Sequence, residues 1–171
     1  ILRPAIMRDA ADIYAWSSDE QVARYVLWTP HESIWETRAY IRSLRAAYRQ
    51  CCPSSWVMEH KESGKAIGTI GWMWVSRENS SAEIGYSLSR NYWNQGLTTE
   101  ALSRVLAFGF EKLKFNRIEA QFDIRNPASG RVMAKCGMTQ EGVLRQRIFN
   151  KGEYIDVCIY AQLKESFSIS R

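Results

Sequence analysis

The stretch Ala82–Glu100, AEIGYSLSRNYWNQGLTTE, passes from a strand pattern through a polar, aromatic turn into a strongly periodic helix. The first turn of a helix leaves backbone N–H groups unpaired and carries about half a positive charge, which suits a phosphate-bearing ligand. Gly96, at the junction, would let the backbone approach such a ligand because it has no Cβ. We interpret the turn as a diphosphate site, although these residues alone equally fit an ordinary strand-to-helix connection.

The size and composition of the chain predict a single globular domain, 1–171. Of the 171 residues, 46% are apolar and 24% are charged, which is enough for one substantial core. No apolar run reaches the roughly 20 residues of a membrane span, and no signal-peptide pattern opens the sequence. Two of the four cysteines are adjacent, which favours a reduced protein over a disulfide scaffold. We therefore expect a cytoplasmic protein, a monomer or a homodimer, that does not bind membranes.

The charge of the chain limits the classes of ligand. A formal net charge of +5 is compatible with an anionic small ligand, an acidic partner or ribosomal surroundings. The lysines and arginines are spread without a dense run, so direct binding of nucleic acid is not expected. The two histidines, His31 and His60, are far apart in sequence and no CxxC motif occurs, so no metal site is predicted.

Hydrophobic periodicity and turn residues predict four helices and seven strands in one mixed α/β (α+β) sheet domain. The predicted helices are Ala10–Arg24, Ile34–Gln50, Leu97–Leu113 and Pro127–Cys136. The predicted strands are Leu2–Ala5, Ser55–His60, Ala66–Val75, Ala82–Leu88, Arg117–Ile124, Val143–Phe149 and Tyr154–Leu163. The firmest boundaries are the Ser33-x-x-Glu36 capping box, Pro127 at a first helical position and Gly137 after a helix end.

Four short phrases follow one another along the second half of the chain. They are AEIGY at 82–86, YWNQGLTTEA at 92–101, NPAS at 126–129, and KCGM at 135–138 followed by Glu141 and Gly142. In order and spacing they resemble the GNAT superfamily of acetyl-CoA-dependent N-acetyltransferases, and most closely its RimJ/RimL-like branch of ribosomal-protein N-terminal acetyltransferases. The resemblance covers nearly the whole chain. It implies a mostly antiparallel sheet of about seven strands with a splayed central strand pair and four helices.

The resemblance also implies acetyl-CoA as cosubstrate, without a metal. The superfamily's Q/R-x-x-G-x-G/A loop is matched at Gly96, whereas Trp93 and Thr98 replace its first and last residues. Amides of this loop would bind the diphosphate: Gln95, Gly96, Leu97, Thr98 and Thr99. The strand Ile84–Leu88 should splay from Ile118–Ile124. The pantetheine would pair along Ser87, Leu88 and Ser89 and pass Asn126 and Ser129.

The chemistry of amine acetylation requires a neutral amine. An α-amino group with a pKa of about 7.8 costs roughly 1 kcal/mol to neutralise at pH 7, whereas a lysine near 10.4 costs about 4.6 kcal/mol. The candidate base is Glu83, for which a purely structural role is the alternative. Many superfamily members place a tyrosine acid where this chain has Met133, so Ser129 is the substitute candidate for protonating the leaving thiolate.

Three functions remain open after these inferences. The leading one is an N-acetyltransferase of a protein N-terminal α-amine, with a ribosomal protein as a possible partner. The second uses the same chemistry on a small amine such as a polyamine, an amino sugar or another metabolite. The third is a catalytically weak acyl-CoA-binding protein, which the missing tyrosine keeps open. A nucleic-acid-binding domain is the least favoured reading.

Several other side chains have two readings each. His31 either borders the acceptor site or is an ordinary polar loop residue. Cys136 is expected to be a small core residue rather than a nucleophile. Asp156 either touches an acceptor amine or makes a hydrogen bond across the terminal strands. The tryptophans Trp28, Trp72 and Trp74 are expected in the core or in a cleft wall.

Overall fold

Seven strands form one sheet in the computed structural model of the protein, which describes residues 1–169. The last two residues of the predicted domain lie outside the described residues. The strands are β1 (Leu2–Arg3), β2 (Ser55–Glu59), β3 (Ala66–Ser76), β4 (Ser81–Leu88), β5 (Arg117–Asp123), β6 (Thr139–Asn150) and β7 (Glu153–Leu163). The α-helices are α1 (Ala10–Ser17), α2 (Glu20–Ala23), α3 (Ile34–Arg49), α4 (Leu97–Glu111), α5 (Pro127–Lys135) and α6 (Lys164–Ile169).

The central strand pair of the sheet separates after a short contact. The strand order is β1-β2-β3-β4-β5-β7-β6, and every neighbouring pair is antiparallel except β4 and β5. These two parallel strands pair only at Ser81↔Arg117, Ala82↔Ile118 and Glu83↔Glu119. From Ile84 onward they are unpaired with each other, so the sheet opens into a V. The predicted mixed sheet and its splayed central pair are confirmed.

Helices cover both faces of the sheet. On one face α4 and α5 pack against β3, β4 and β5 around a buried cluster that includes Trp72, Ile84, Leu102, Phe110 and Ile118. On the other face α1 and α3 pack against β2 through a second cluster that includes Ile13, Trp16, Ile41, Leu44 and Val57. The V lies between these two layers, where β4 leaves β5.

The structure corrects the predicted helices at two places. The predicted helix Ala10–Arg24 is two helices, because Asp19 is extended and its side chain accepts the Gln21 amide at 2.9 Å, which starts α2 anew. The helix α6 follows β7 directly, so the described residues contain six α-helices where the sequence predicted four.

The predicted roles of Ser33, Pro127 and Gly137 at helix ends are confirmed, whereas the predicted start of the strand β6 is wrong. Ser33 caps α3, Pro127 is the first residue of α5, and Gly137 follows α5 with φ +81°, as predicted. The strand β6 begins at Thr139, four residues before the predicted Val143, because Thr139 and Gln140 pair with β7. The register of β6 against β7 then shifts twice, once on each side of Val143 and Leu144.

Candidate active site

A cleft of about 390 Å³ lies at the wide end of the V. Residues from α2 and the loop after it, the end of β4, the turn before α4, the first turn of α4 and one side of α5 along its length form its walls. The predicted site residues that line it are Ser87, Leu88, Gly96, Leu97, Thr98, Thr99, Asn126 and Ser129. Ser89, Gln95 and Glu83 are not among the lining residues. Most of the predicted cofactor-binding residues therefore meet in one cleft.

The N terminus of α4 offers open hydrogen-bond donors to this cleft. Gly96 is its N-cap and has φ +78°, a left-handed conformation that favours glycine. Its carbonyl accepts the Glu100 amide at 3.0 Å and so begins the helix. The backbone N–H groups of Leu97, Thr98 and Thr99 have no acceptor within residues 1–169. Such a helix start is suited to an anion.

The turn that precedes α4 is fixed from both sides. The Trp93 indole Nε1 donates to the Leu88 carbonyl at 2.8 Å, which ties the turn to the end of β4. The Gln95 side chain donates to the Asn91 carbonyl at 3.1 Å, so the amide group of Gln95 closes the turn while its residue stays outside the cleft lining. The departure from the family pattern at Trp93 therefore has a structural role.

The cleft is lined by cations and no carboxylates. Arg24 on the α2 side and Arg131 and Lys135 on α5 contribute to the lining, whereas no Asp or Glu does so among the described residues. Arg131 and Lys135 are four residues apart on α5 and thus lie on one helix face. The positive charges and the open amides both favour a diphosphate or phosphate group there.

A hydrogen bond joins the two sides of the V. The Tyr86 hydroxyl, on β4, donates to the Ser129 carbonyl, on α5, at 3.0 Å. Burial raises the pKa of Tyr86 above its usual 10.0. The Ser129 hydroxyl accepts from the Asn126 side-chain amide at 3.1 Å, and the Ser129 amide donates to the Asn126 carbonyl at 3.1 Å. Asn126 and Ser129 are thus one hydrogen-bonded unit at the cleft wall, with the Ser129 hydroxyl proton still available.

Glu83 lies at the closed end of the V, where β4 and β5 last pair. Its Oε2 accepts from the Trp74 indole Nε1 at 2.7 Å, and its Oε1 accepts from the Gln121 amide at 3.1 Å. Glu83 on β4 is the register partner of Glu119 on β5. Its neighbour Ile84 is buried on the α4 side of the sheet, and successive side chains of a strand alternate, so the Glu83 carboxylate is on the opposite face. The structure therefore brings Glu83 next to the V but outside the 390 Å³ cleft.

Sequence reasoning missed the segment after α2 as a cleft wall. Tyr25 and Val26 line the cleft, and the Arg24 and Arg125 guanidinium carbons lie 5.2 and 5.9 Å from the centre of the Tyr25 ring. The turn between β6 and β7 holds this segment, because Asn150 donates to the Val26 carbonyl at 3.2 Å and Lys151 donates to the Ala23 carbonyl. Contacts between residues more than 120 positions apart leave no local signal in the sequence.

The remaining candidates have structural surroundings. His31 Nδ1 lies 2.8 Å from both the Ser17 and Thr37 hydroxyl oxygens, and burial lowers the pKa of its imidazole. Cys136 donates to the Thr99 carbonyl at 3.4 Å, and burial raises the pKa of its thiol, which disfavours a reactive thiolate. Asp156 accepts the Gln146 amide at 2.7 Å, the predicted bond across the terminal strands.

The structure also locates the tryptophans and Met133, the position where many superfamily members have a tyrosine acid. Trp72 is in the core, and Met133, where many superfamily members have a tyrosine, is buried in the same cluster. Trp28 packs beside the second cluster, and Trp74 is partly exposed beside Glu83. Among residues 1–169 no group of three His, Cys, Asp or Glu side chains could hold a metal ion. No helix in that range is long and apolar enough to cross a membrane.

Comparison with known proteins gives the family. A family model described as an acetyltransferase (GNAT) domain matches residues 1–139. The uncharacterized N-acetyltransferase YoaA of Bacillus subtilis (strain 168) is 34% identical over 164 residues, which cover 96% of this chain and 93% of YoaA. A crystal structure of a GNAT-family acetyltransferase from Bacillus anthracis has a TM-score of 0.86 at 27% identity and covers 96% of this chain and 94% of that chain.

Relatives with named acceptors differ from one another. The ribosomal-protein-serine acetyltransferase of Escherichia coli (strain K12) is 31% identical over 100 residues, 58% of this chain and 56% of that protein. The spermidine N(1)-acetyltransferase of the same organism is 23% identical over 168 residues, 93% of this chain and 84% of that protein. A structure of a ribosomal L7/L12 α-N-protein acetyltransferase with coenzyme A has a TM-score of 0.85 at 20% identity over 95% of this chain and 92% of that chain.

These comparisons agree with the fold. The predicted enzyme class, an acetyl-CoA-dependent N-acetyltransferase, is confirmed at the level of the family, while the relatives with named acceptors point to different amines. The chain belongs to the GNAT acetyltransferase family.

Proposed function

We propose that the protein transfers the acetyl group of acetyl-CoA directly to the α-amino group of a protein N terminus, with a ribosomal protein as the favoured acceptor. The amides of Leu97, Thr98 and Thr99 bind the diphosphate of the donor, and Ser87 and Leu88 face its pantetheine arm. A ribosomal-protein acceptor would place the reaction in the cytoplasm.

The observation that carries the donor assignment is the cleft at the N terminus of α4. Its open amides, left-handed Gly96 and lining cations form a site for a diphosphate without a metal or a P-loop lysine. The unpaired edges of β4 and β5 offer backbone groups to an extended ligand such as pantetheine, as a sheet edge does to an added strand.

Few side chains of the site could act as a general base, and this favours an α-amine as the acceptor. Glu83 is the nearest candidate base, and each of its oxygens already accepts one hydrogen bond from a neighbouring side chain. Such a base suffices for an amine with a pKa of about 7.8, whose neutralisation costs roughly 1 kcal/mol at pH 7. A lysine side chain would need about 4.6 kcal/mol on the same scale.

The hydroxyl of Ser129 is the candidate proton donor to the leaving thiolate. It accepts a hydrogen bond from Asn126, so its own proton is directed elsewhere, and the residue lines the cleft. Met133, which is buried, occupies the position where many superfamily members have a tyrosine as the acid. Coenzyme A leaves as a thiolate that needs little protonation, so a weak acid is sufficient.

The second candidate function is acetylation of a small amine. The relative that acts on spermidine aligns with 93% of this chain, which favours it. A polyamine carries several positive charges, however, and this chain is itself basic, with a formal net charge of +5, which disfavours a polycationic acceptor. An amino sugar or another monoamine meets no such objection.

A thiol-release assay with acetyl-CoA tests the acceptor. The panel contains a ribosomal N-terminal peptide without lysine, the same peptide with a blocked N terminus and one added lysine, spermidine, and glucosamine. We expect release with the first peptide and background release with the second, which is its matched control. A higher kcat/KM for spermidine or glucosamine would contradict the protein acceptor. Acetyl-CoA binding by calorimetry with no thiol release from any amine would support an inactive acyl-CoA-binding protein instead.

A further inference from the structure

A β-bulge in β3 changes which side chains stand beside Glu83. Trp72 pairs with Ile84 and Trp74 pairs with Glu83, so Met73 is an extra residue on β3 with no partner of its own on β4. Side chains normally alternate between the two faces of a strand, and a bulge interrupts that alternation. Trp72 points into the core with Ile84, whereas Trp74 shares the face of its cross-strand partner Glu83.

The bulge puts Met73 on that same face. The Met73 sulfur is 2.7 Å from the place where a Cβ at Gly85 would be, and Gly85 is two residues from Glu83 along β4. Met73 therefore packs over the backbone of Gly85, and any side chain at position 85 would displace it. Two consecutive large apolar residues, Met73 and Trp74, thus stand side by side next to one carboxylate.

Both side chains are accessible. Met73 is 57% exposed and Trp74 is 37% exposed, although each has an apolar surface that a folded protein usually covers. The Trp74 indole also donates to Glu83, so its ring edge is fixed within hydrogen-bond distance of the carboxylate. An acceptor whose ammonium group approaches Glu83 can therefore place a side chain only a few bonds away against the Trp74 indole or the Met73 thioether.

We infer that Met73 and Trp74 form the surface that selects the acceptor, and that they favour an amine whose own residue carries an apolar, uncharged side chain. This inference rests on the proposed transfer to an amine beside Glu83. The carboxylate provides the complement to the positive amine, the indole face adds a cation–π attraction, and the flexible thioether adapts to aliphatic or aromatic shapes. Neither residue provides a free donor or a positive charge for a negatively charged first side chain, because the Trp74 N–H already donates to Glu83.

The test compares acceptors that differ only in the first side chain. Dipeptide amides that begin with Leu, Phe, Ser or Glu are paired with two small amines, 2-phenylethylamine and ethanolamine. We expect kcat/KM for the Leu and Phe acceptors to exceed that for Ser by about tenfold or more, because burial of an aliphatic side chain supplies that much. The Glu acceptor should be the poorest.

Variants show whether Met73 and Trp74 cause the preference. Met73→Ala should raise KM for the Leu acceptor by about tenfold and change KM for the Ser acceptor by less than about twofold. Trp74→Ala should weaken both acceptors, and the Leu acceptor more strongly, because it also removes the hydrogen bond to Glu83. Leu113→Ala is the matched control, because Leu113 has a similar exposure of 42% but follows the C-terminal end of α4. It should leave both KM values unchanged.

Each outcome distinguishes this inference from the proposed function. No preference for Leu over Ser, or a preference that survives both substitutions, overturns the inference while the peptide acceptor stands. Inactive peptides together with a preference for 2-phenylethylamine over ethanolamine that is lost in Met73→Ala would overturn the protein acceptor and uphold the inference. If the enzyme accepts none of these amines, both are overturned.

Discussion

Gly96 joins backbone conformation to ligand binding at a single residue. Its left-handed φ of +78° starts α4 at the position where the next three amides remain without acceptors. Apart from Gly96's neighbours along the chain, no heavy atom of the described residues lies within 4 Å of the place where a Cβ would be, so there is room for a side chain. A substitution at this residue therefore reports on what occupies the cleft more than on packing.

We predict that Gly96→Asp abolishes acetyl-CoA binding. A carboxylate about 4 Å from a phosphate charge is repelled by about 4 kcal/mol at an effective dielectric constant of about 20, which weakens binding by more than roughly a hundredfold. Isothermal calorimetry on the folded variant measures this loss. Gly152→Asp is the control, because Gly152 also has a positive φ, +89°, and an open Cβ position but lies in the turn between β6 and β7. Equal affinities in Gly96→Asp and wild type would refute the loop assignment.

Glu83 is the second residue whose role can be isolated. We predict that Glu83→Gln lowers kcat by roughly a hundredfold near pH 6.5, as removal of a general base does, and leaves the affinity for acetyl-CoA nearly unchanged. The deficit should shrink above the amine pKa of about 7.8, because the amine is then already neutral.

A steady-state pH–rate profile with a peptide acceptor measures the effect. Glu119→Gln is the control, since Glu119 is the cross-strand neighbour on the same face but pairs with Arg117 at 2.8 Å. If Glu83→Gln keeps the wild-type profile, Glu83 is a structural carboxylate.

At the scale of elements, β3 is the strand on which the site depends, because it carries the bulge beside Glu83 and pairs with β4 along the V. It is also approached closely by Ser54 and by Ser55, the first residue of β2 and the cross-strand partner of Gly71. A Cβ at Gly71 would be 2.3 Å from the Ser54 carbonyl oxygen and 2.3 Å from the Ser55 Cα. The Trp72 amide donates to that same Ser54 carbonyl at 3.1 Å, so this contact fixes two backbones together.

We predict that Gly71→Ala destabilises the protein by about 1 to 3 kcal/mol, the usual cost of forcing atoms into a packed region that must shift. Chemical denaturation followed by circular dichroism gives the free energy of unfolding. Gly142→Ala is the matched control, because Gly142 is also in a strand, has no positive φ, and has an open Cβ position, with only its chain neighbours nearby among the described residues. Similar losses in the two variants would show that the close approach of Ser54 and Ser55 to Gly71 does not decide the effect.

The elements also show what could be predicted from the sequence. Ser33, Pro127 and Gly137 act on their own helix ends, so their effect was readable locally and was confirmed. The second half of the predicted capping box is absent, because the Glu36 carboxylate accepts the Glu32 amide at 2.8 Å and not the Ser33 amide. The bulge at Met73 was not predicted, because the pairing of Trp74 with Glu83 depends on the register of a second strand. For the same reason the hydrogen bond between Trp74 and Glu83 was missed, and Trp74 was only expected in a core or cleft wall.

At the scale of the molecule, one ion-pair network holds the N terminus on the sheet. Arg3 on β1 binds Asp9 with two hydrogen bonds of 2.8 Å and Glu59 on β2 with one of 2.6 Å. Asp9 is 3% exposed and also accepts the Ile6 amide at 2.9 Å. Burial alone would raise the pKa of Asp9, but these hydrogen bonds outweigh it and hold the pKa below its usual 3.8.

We predict that Asp9→Asn lowers the free energy of unfolding by roughly 1.5 to 3 kcal/mol at pH 7, the usual contribution of a hydrogen bond to a charged group. A depressed folded-state pKa means that the wild-type advantage is present above about pH 4 and is lost as the pH falls through the folded-state value.

Urea titrations at pH 7 and at pH 3 or below should therefore show the two proteins converging in acid. Glu141→Gln provides the comparison, because Glu141 is paired with Arg117 at an exposed position and should change stability by less than about 1 kcal/mol at either pH. A difference between Asp9→Asn and wild type that is constant with pH would contradict the ionic explanation.

The three-residue contact between β4 and β5 has a further thermodynamic consequence. If acetyl-CoA supplies hydrogen bonds along those unpaired strand edges, binding of the donor also stabilises the folded protein against heat. A hundredfold excess of acetyl-CoA over its Kd should add about 2.7 kcal/mol to the free energy of unfolding of the wild type, visible as a rise in Tm, and should add nothing to Gly96→Asp. Cellular supply of the donor would then set how long each molecule of the enzyme survives.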